Sequence, residues 1–182
     1  MKNKILLFFC YVSILGCFGQ NIKPEDLNFK LDENKKVIWE KNYNYEAYRD
    51  SLTLILQVFL KNNPFTNKLN LTDSGFFGES NKVLLSSTKH MAIGARNPFN
   101  AIIKIDIMDG NYVVTVTQIV FDGIEFNYPV IGKKSAGPPE LPLEDFVVKN
   151  KKPEFRSNKG AMSQLSVLNK DLNHYFTIKK VD

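Results

Sequence analysis

The feature that most constrains this chain is the dipeptide Asp109-Gly110, set between two runs rich in Ile, Val, Tyr and Thr that together fill residues 101–122. Asp-Gly between such runs is the dipeptide that most readily takes the positive φ angles of a type I′ turn, so the segment predicts a β-hairpin with a two-residue loop. That loop fixes the register. It places Ile107 opposite Tyr112, Ile105 opposite Val114, Ile103 opposite Val116 and Ala101 opposite Gln118, which makes one face apolar. The other face pairs Asp106 with Val113, Lys104 with Thr115 and Ile102 with Thr117, a pattern suited to a wet or partly covered surface. An odd loop length would put the Ile side chains on the wrong side of Tyr112 and Val114. A lone hairpin is marginal in water, so this one needs further strands and a helix across its apolar face.

The flanking sequence offers both. Residues 27–32 and 37–43 alternate around the polar turn 33–36, with Phe29, Leu31, Val37, Trp39 and Tyr43 on one face, and predict a second hairpin. Trp39, the single Trp, reads as a core residue in preference to a ligand-stacking one. Asn44 can cap a helix running to about Leu60, with Tyr45, Tyr48, Leu52, Ile55, Leu56 and Phe59 as its stripe and Leu54, Val58 and Leu60 widening it. Residues 69–77 and 83–93 predict two more strands separated by a turn at 78–81. Residues 128–142 hold many Pro and Gly and predict an irregular, exposed loop, followed by a short strand at 143–148. A second amphipathic helix is expected from about 160 to 176, capped by Ser157 or Asn158, with Met162, Leu165, Leu168, Leu172 and Phe176 inward. The fold class is therefore α+β: five to seven antiparallel strands with two helices packed on one face.

With 182 residues, 43% hydrophobic and 12% aromatic, the chain has enough material for one domain with a sizeable core. Residues 1–19 read as a signal peptide: Lys2 and Lys4, then an apolar run too short for a comfortable membrane span, then Cys17-Phe18-Gly19 as a cleavage site before Gln20. A competing reading takes Ile14-Leu15-Gly16-Cys17 as a lipobox, with Cys17 lipidated and the protein anchored as a membrane lipoprotein. Both readings export the protein, as a periplasmic, secreted or lipid-anchored species. The remaining organisation is a lead at 20–26, the α+β domain at 27–126, a Pro/Gly-rich and basic region at 127–159, and a C-terminal helix and tail at 160–182 packing on the same domain. Both cysteines, Cys10 and Cys17, precede residue 20, so no disulfide or Cys nucleophile is expected in the mature chain. Without Lys2 and Lys4 the 24 basic residues fall to 22 against 19 acidic ones, a net charge of +3, too mild to imply nucleic acid.

Two stretches carry a resemblance. Val37-Ile38-Trp39-Glu40-Lys41 leads into Tyr45-Glu46-Ala47-Tyr48-Arg49, and Ile103-Lys104-Ile105-Asp106-Ile107-Met108 leads into Asp109-Gly110-Asn111-Tyr112. Over about residues 27–126 this order resembles a family of exported bacterial proteins of unknown function with a TATA-binding-protein-like (TBP-like) fold. That family shows a strand, a helix starting near a Leu-Tyr pair, and a later strand ending in a Lys-Asp-Gly-x-Tyr-like turn. Here Ala47-Tyr48 stands in place of Leu-Tyr and Met108 in place of the Lys. The resemblance implies a curved antiparallel sheet with helices on one face, and no catalytic residues. The fold label does not imply DNA binding.

The chemistry-bearing residues are sparse. His90 and His174 are the only histidines and lack metal-ligand spacing with other ligand types, so no metal or cofactor is expected. Gly132-Lys133-Lys134-Ser135 lacks the upstream glycine of a phosphate loop. The best catalytic set, Asp106, Asp109 and Asp122 with His90, is explained as well by turn and surface roles. Lys149, Lys151, Lys152, Arg156 and Lys159, joined by Lys133 and Lys134, form a basic run that is either a solvated face or a contact for a partner or anionic headgroups. The functional expectation is a non-enzymatic, exported envelope protein that binds another protein or an envelope component. The alternatives are a carrier holding a small apolar ligand between sheet and helix and, more remotely, a carboxylate-based hydrolase.

Overall fold

The computed structural model describes residues 23–89, 91–123, 125–127, 134–136 and 140–178. The expected signal peptide with Cys10 and Cys17, together with His90 and Lys133, lies outside the described residues.

A curved seven-stranded antiparallel sheet forms the body. Its strands are β1 (Phe29–Leu31), β2 (Val37–Asn44), β3 (Asn70–Leu71), β4 (Gly75–Glu79), β5 (Phe99–Met108) and β6 (Asn111–Asp122), in the order β1-β2-β6-β5-β4-β3. Of the loop expected at 128–142, Lys134–Ala136 is a short strand, β8, paired with β7 (Glu125–Asn127) just before the loop, and Glu140–Pro142 is β9, which joins the main sheet beside β6.

The β5–β6 hairpin has the expected register from Ile102↔Thr117 through Ile103↔Val116, Ile105↔Val114 and Ile107↔Tyr112. The expected Ala101–Gln118 pair does not form. Asn100 pairs with Val120, so two residues of β6, Gln118 and Ile119, stand against Ala101 alone. Gln118 takes φ 48, the mark of a β-bulge. The bulge shifts the phase of β6: Tyr112, Val114 and Val116 face the core before it, Ile119 and Phe121 after it. The turn also differs from type I′, because Gly110 has φ 80 whereas Asp109 keeps a negative φ, the φ pattern of a type II turn. The reason lies in what holds it. Gly110 O accepts from Tyr45 N–H at 2.9 Å, Gly110 N–H donates to Ala47 O at 3.0 Å, and Asp109 Oδ1 accepts from Arg49 N–H at 2.8 Å.

Those contacts also move the first helix. Asn44 does not cap it, since Asn44 is the last residue of β2 and pairs with Asn111. Helix α1 is Arg49–Lys61, and its first N–H is satisfied by Asp109 from another hairpin. Leu52, Leu56 and Leu60, at four-residue steps, are its buried stripe. Tyr48, Leu54 and Val58, expected inward, are exposed at 82%, 64% and 63%.

The single strand expected at 69–77 is a tight hairpin, β3 and β4. Thr72 and Gly75 exchange both backbone hydrogen bonds around Asp73-Ser74. The expected turn at 78–81 is instead paired backbone: Gly78 lies opposite Ile103 and Glu79 opposite Ile102, and Ser80 exchanges two bonds with Ala101. The described residues of 83–93 make no strand beyond the bridge Val83–Phe99; among them Leu85 and Met91 are buried anchors. The strand expected at 143–148 is one turn of helix, α2 (Glu144–Val147), whose Glu144 accepts from Val37 N–H at 3.0 Å. Helix α3 (Lys159–Phe176) follows its sequence pattern, and Asn158 caps it by accepting from Ala161 N–H at 2.8 Å.

The core between sheet and helices is an aromatic line. Trp39 stacks on Phe176, which meets Phe65, then Phe99, Phe121 and Phe146, with neighbouring ring centroids 5.6–6.2 Å apart. Trp39 is fully buried, and its Nε1–H donates to Asn169 Oδ1 at 2.8 Å, as the core reading requires. Tyr112 stacks on Tyr43 at 5.0 Å and donates its hydroxyl to Phe176 O at 2.6 Å.

Two outcomes are expected. A Cβ on Gly75, at φ 154, would stand 2.0 Å from Ile105 O. Gly75→Ala should therefore cost about 3 kcal/mol or more, read as a lowered urea midpoint at unchanged m. Burial pushes the Tyr112 phenol up to about 12. Its unfolded value is about 10, so its contribution is complete below about pH 10 and is lost as pH rises through about 12. The alkaline fall in unfolding free energy should be shallower in Tyr112→Phe than in the wild type.

Candidate functional site: the uncovered sheet face

The alternation that buries one side of β2, β5 and β6 leaves their other side half-exposed. Helices α1 and α3 pack on the buried side, through Leu52, Leu56 and Leu60 of α1 and Leu165, Leu168, Leu172 and Phe176 of α3. Cross-strand register assembles the open side into rows. One row runs Glu40–Thr115–Lys104–Phe77–Asn70 across five strands, from β2 to β3. The row on one side of it holds Asn42, Val113 and Asp106, and the row on the other holds Thr117, Ile102 and Glu79.

The electrostatics of this surface are local. Lys30 pairs with Glu40 at 2.8 Å and Lys104 with Asp106 at 2.8 Å. Glu79 accepts a hydrogen bond from Asn100. The two lysines are thus neutralised in place, and what remains is a β-branched and amide surface with Phe77 half exposed at its end. Such a face offers a partner flat apolar contact and short hydrogen-bonding groups, without a field that would attract a polyanion.

The expected basic contact is divided by the structure. Lys149 pairs with Glu154 at 2.8 Å, and the lysine holds the Glu154 carboxyl below its ordinary value. Arg156 is a structural residue, with Nε donating to Val148 O at 2.8 Å and Nη2 to Asn150 Oδ1 at 3.2 Å. Lys151, Lys152 and Lys159 are exposed on or after the same turn. The carboxylates of the catalytic reading are kept apart. Asp106 is in its ion pair, Asp109 caps α1, and Asp122 pairs with Lys82 at 2.5 Å. His174 sits exposed on the last turn of α3. Among the described residues no three His, Cys, Asp or Glu side chains gather in a way that could hold a metal ion.

One polar cluster escapes sequence reading. Asn169 Oδ1 accepts from Asn28 Nδ2 at 3.0 Å as well as from Trp39, while Asn173 Oδ1 accepts from Lys41 Nζ at 2.5 Å and Tyr43 OH at 3.2 Å. The signal was present as two Asn four apart on an otherwise apolar helix stripe, but its partners lie about 130 residues away. Burial raises the Tyr43 phenol well above the ordinary tyrosine range, with Tyr112 adding to the effect. The cluster docks α3 on β2. The volume beneath α1 that a carried ligand would need is filled by Leu52, Leu56 and Leu60. Open grooves occur at the edges, one of about 350 Å³ between Phe59, Pro64, Tyr175 and Ile178, and one of about 160 Å³ between α1 and β3.

No protein-family model matches the chain, and no curated protein matches it. Among solved structures, a TBP-like protein from Parabacteroides distasonis matches with a TM-score of 0.51 and 15% identity, over 80% of this chain and 90% of that chain. A DUF4468 family protein from Bacteroides ovatus aligns at TM-score 0.47 and 13% identity, over 88% of this chain and 100% of that one. The first match gives this chain a TBP-like fold, as the motifs around Trp39 and Asp109-Gly110 implied. No helix among the described residues is long and apolar enough to cross a membrane.

If the open face is a surface and not an unrecognised part of the core, its charges contribute little to stability. Lys104→Ala and Asp106→Ala should each change the unfolding free energy by less than about 1 kcal/mol in chemical denaturation.

Proposed function

We propose that this chain is exported and works outside the cytoplasm as a non-enzymatic module whose uncovered sheet face binds another protein of the envelope. The observation that carries this reading is the contrast between the two sides of the sheet. One side is closed by helices over a continuous aromatic core. The other presents Thr115, Thr117, Val113, Ile102 and Phe77 to solvent with their neighbouring charges already paired. Nucleic acid is a poor fit for this face, because each lysine on it has a carboxylate beside it. The carboxylates of the hydrolase alternative are separated into three structural roles, and the carrier alternative loses the space beneath α1 on which it relied. Export rests on the sequence of residues 1–19.

The test is a photo-crosslinking amino acid placed at Thr115, in the middle of the face, and separately at Glu33, in the β1–β2 turn, with each variant expressed in intact cells. Thr115 should yield an adduct of discrete mass that Glu33 does not, identified by mass spectrometry as an envelope protein. Equal labelling at both sites, or labelling at Glu33 alone, would remove the open face from consideration.

A further inference from the structure

The outer edge of the sheet leaves a specific set of main-chain groups unclaimed. Because Thr72 and Gly75 exchange both backbone bonds, the next pair, Leu71 opposite Phe76, does not, and the Leu71 N–H and C=O point away from the sheet. Residues 69 and 73 point the same way. Leu69 N–H is already used on Thr66 O at 3.0 Å, and Asp73 C=O accepts from the Arg49 guanidinium. No hydrogen bond within the described residues takes up Leu69 C=O, Leu71 N–H, Leu71 C=O or Asp73 N–H.

Shape and charge agree with this pattern. Helix α1 lies across a groove from β3 and is tied to the chain on either side of that strand, by Arg49 to Asp73 in the β3–β4 turn and by Thr66 Oγ1, before the strand, to Leu60 O at 3.1 Å. The groove of about 160 Å³ between them is lined by Gln57, Leu60, Lys61, Leu69, Leu71 and Phe76. Leu71 at its lip is 55% exposed, and Leu54 and Val58 extend the apolar surface over the helix. Lys61 and Lys68 stand at one end of this edge, Asp50 and Asp73 at the other. Edge strands in isolated domains are commonly blunted by Lys or Pro, and neither occurs from Leu69 to Thr72.

We propose that this edge pairs with the β3 of a second copy, antiparallel about a two-fold axis at Leu71. That arrangement calls for mutual hydrogen bonds between the two Leu71 residues and one from Asp73 N–H of each copy to Leu69 C=O of the other. These are the unclaimed groups. The two groups it would place face to face as a further bond, Leu69 N–H and Asp73 C=O, are the two already satisfied within each chain. The same axis brings the Lys61 end of one α1 toward the Asp50 end of the other. A pair of seven-stranded sheets would then be continuous, and the uncovered faces would become one surface, whatever that surface binds.

Sedimentation velocity of the purified full chain tests this across the micromolar range. The wild type should show a concentration-dependent monomer–dimer equilibrium. Leu71→Pro removes only the outward N–H and should be monomeric with little change in Tm. Leu71→Lys, at a side chain already half exposed in the single chain, sets two like charges face to face at the axis and should also be monomeric. A wild type that is monomeric at every concentration overturns the proposal, as does a dimer that survives Leu71→Pro. Should Leu71→Pro fail to fold, Leu71→Lys decides, and a dimer that survives it overturns the proposal. None of these outcomes depends on crosslinking at Thr115.

Discussion

The structure depends on a clamp between a turn and a helix start. The β5–β6 turn offers a carbonyl, an amide and a carboxylate, and the segment from Tyr45 to Arg49 takes all three. A helix N-terminus must find partners for its first amides. Here the partner is Asp109, which arrives from the middle of the sheet. The clamp fixes where α1 begins, which of its residues meet the sheet, and how Arg49 reaches the β3–β4 turn. It also selects the turn type, because Gly110 must present its N–H and C=O to the 45–47 backbone instead of leaving them to solvent.

Much of the architecture was legible because it rests on local rules. Alternation over Phe29–Tyr43, the even loop at Asp109-Gly110 and the stripe from Leu165 to Phe176 each specify a face without knowledge of the rest. Elsewhere a distant group overrides the local signal. Asn44 has the chemistry of a cap, but β6 claims it as a strand residue. Leu54 and Val58 look like core, yet the helix finds only one side to bury against. Residues 69–77 read as one strand because nothing in Thr72-Asp73-Ser74 is as strong a turn signal as Asp-Gly, and the reversal relies on Gly75 lying against the backbone of β5. The bulge at Gln118 was hidden for a related reason: an added residue preserves the apolar composition and changes only its phase.

The candidate site was visible in outline and not in extent. The half-polar side of the central hairpin can be read from Lys104, Asp106, Thr115 and Thr117. Its continuation onto β2 and β4 requires the strand order, in which neighbours in space are far apart in sequence. The basic run from Lys149 to Lys159 shows the opposite effect. In sequence it is a cluster; in space Lys149 and Arg156 are occupied in knitting their own turn.

Strand order has a consequence for how the chain acquires its structure. β2 bonds to β6, which lies some 70 residues downstream, while β1 can reach β2 at once through a short turn. While β1 and β2 stand alone, the apolar side with Val37, Trp39 and Tyr43 is uncovered; β6 extends the ribbon sideways, and the cover over Trp39 comes only with Asn169 and Phe176 of α3. The central hairpin then supplies both the missing strand and, through Asp109, the anchor of α1 in a single local event. The sheet is thus joined by the middle of the chain and closed by its end, so that the aromatic core is complete only once Phe176 is in place against Trp39, Phe65 and Tyr112.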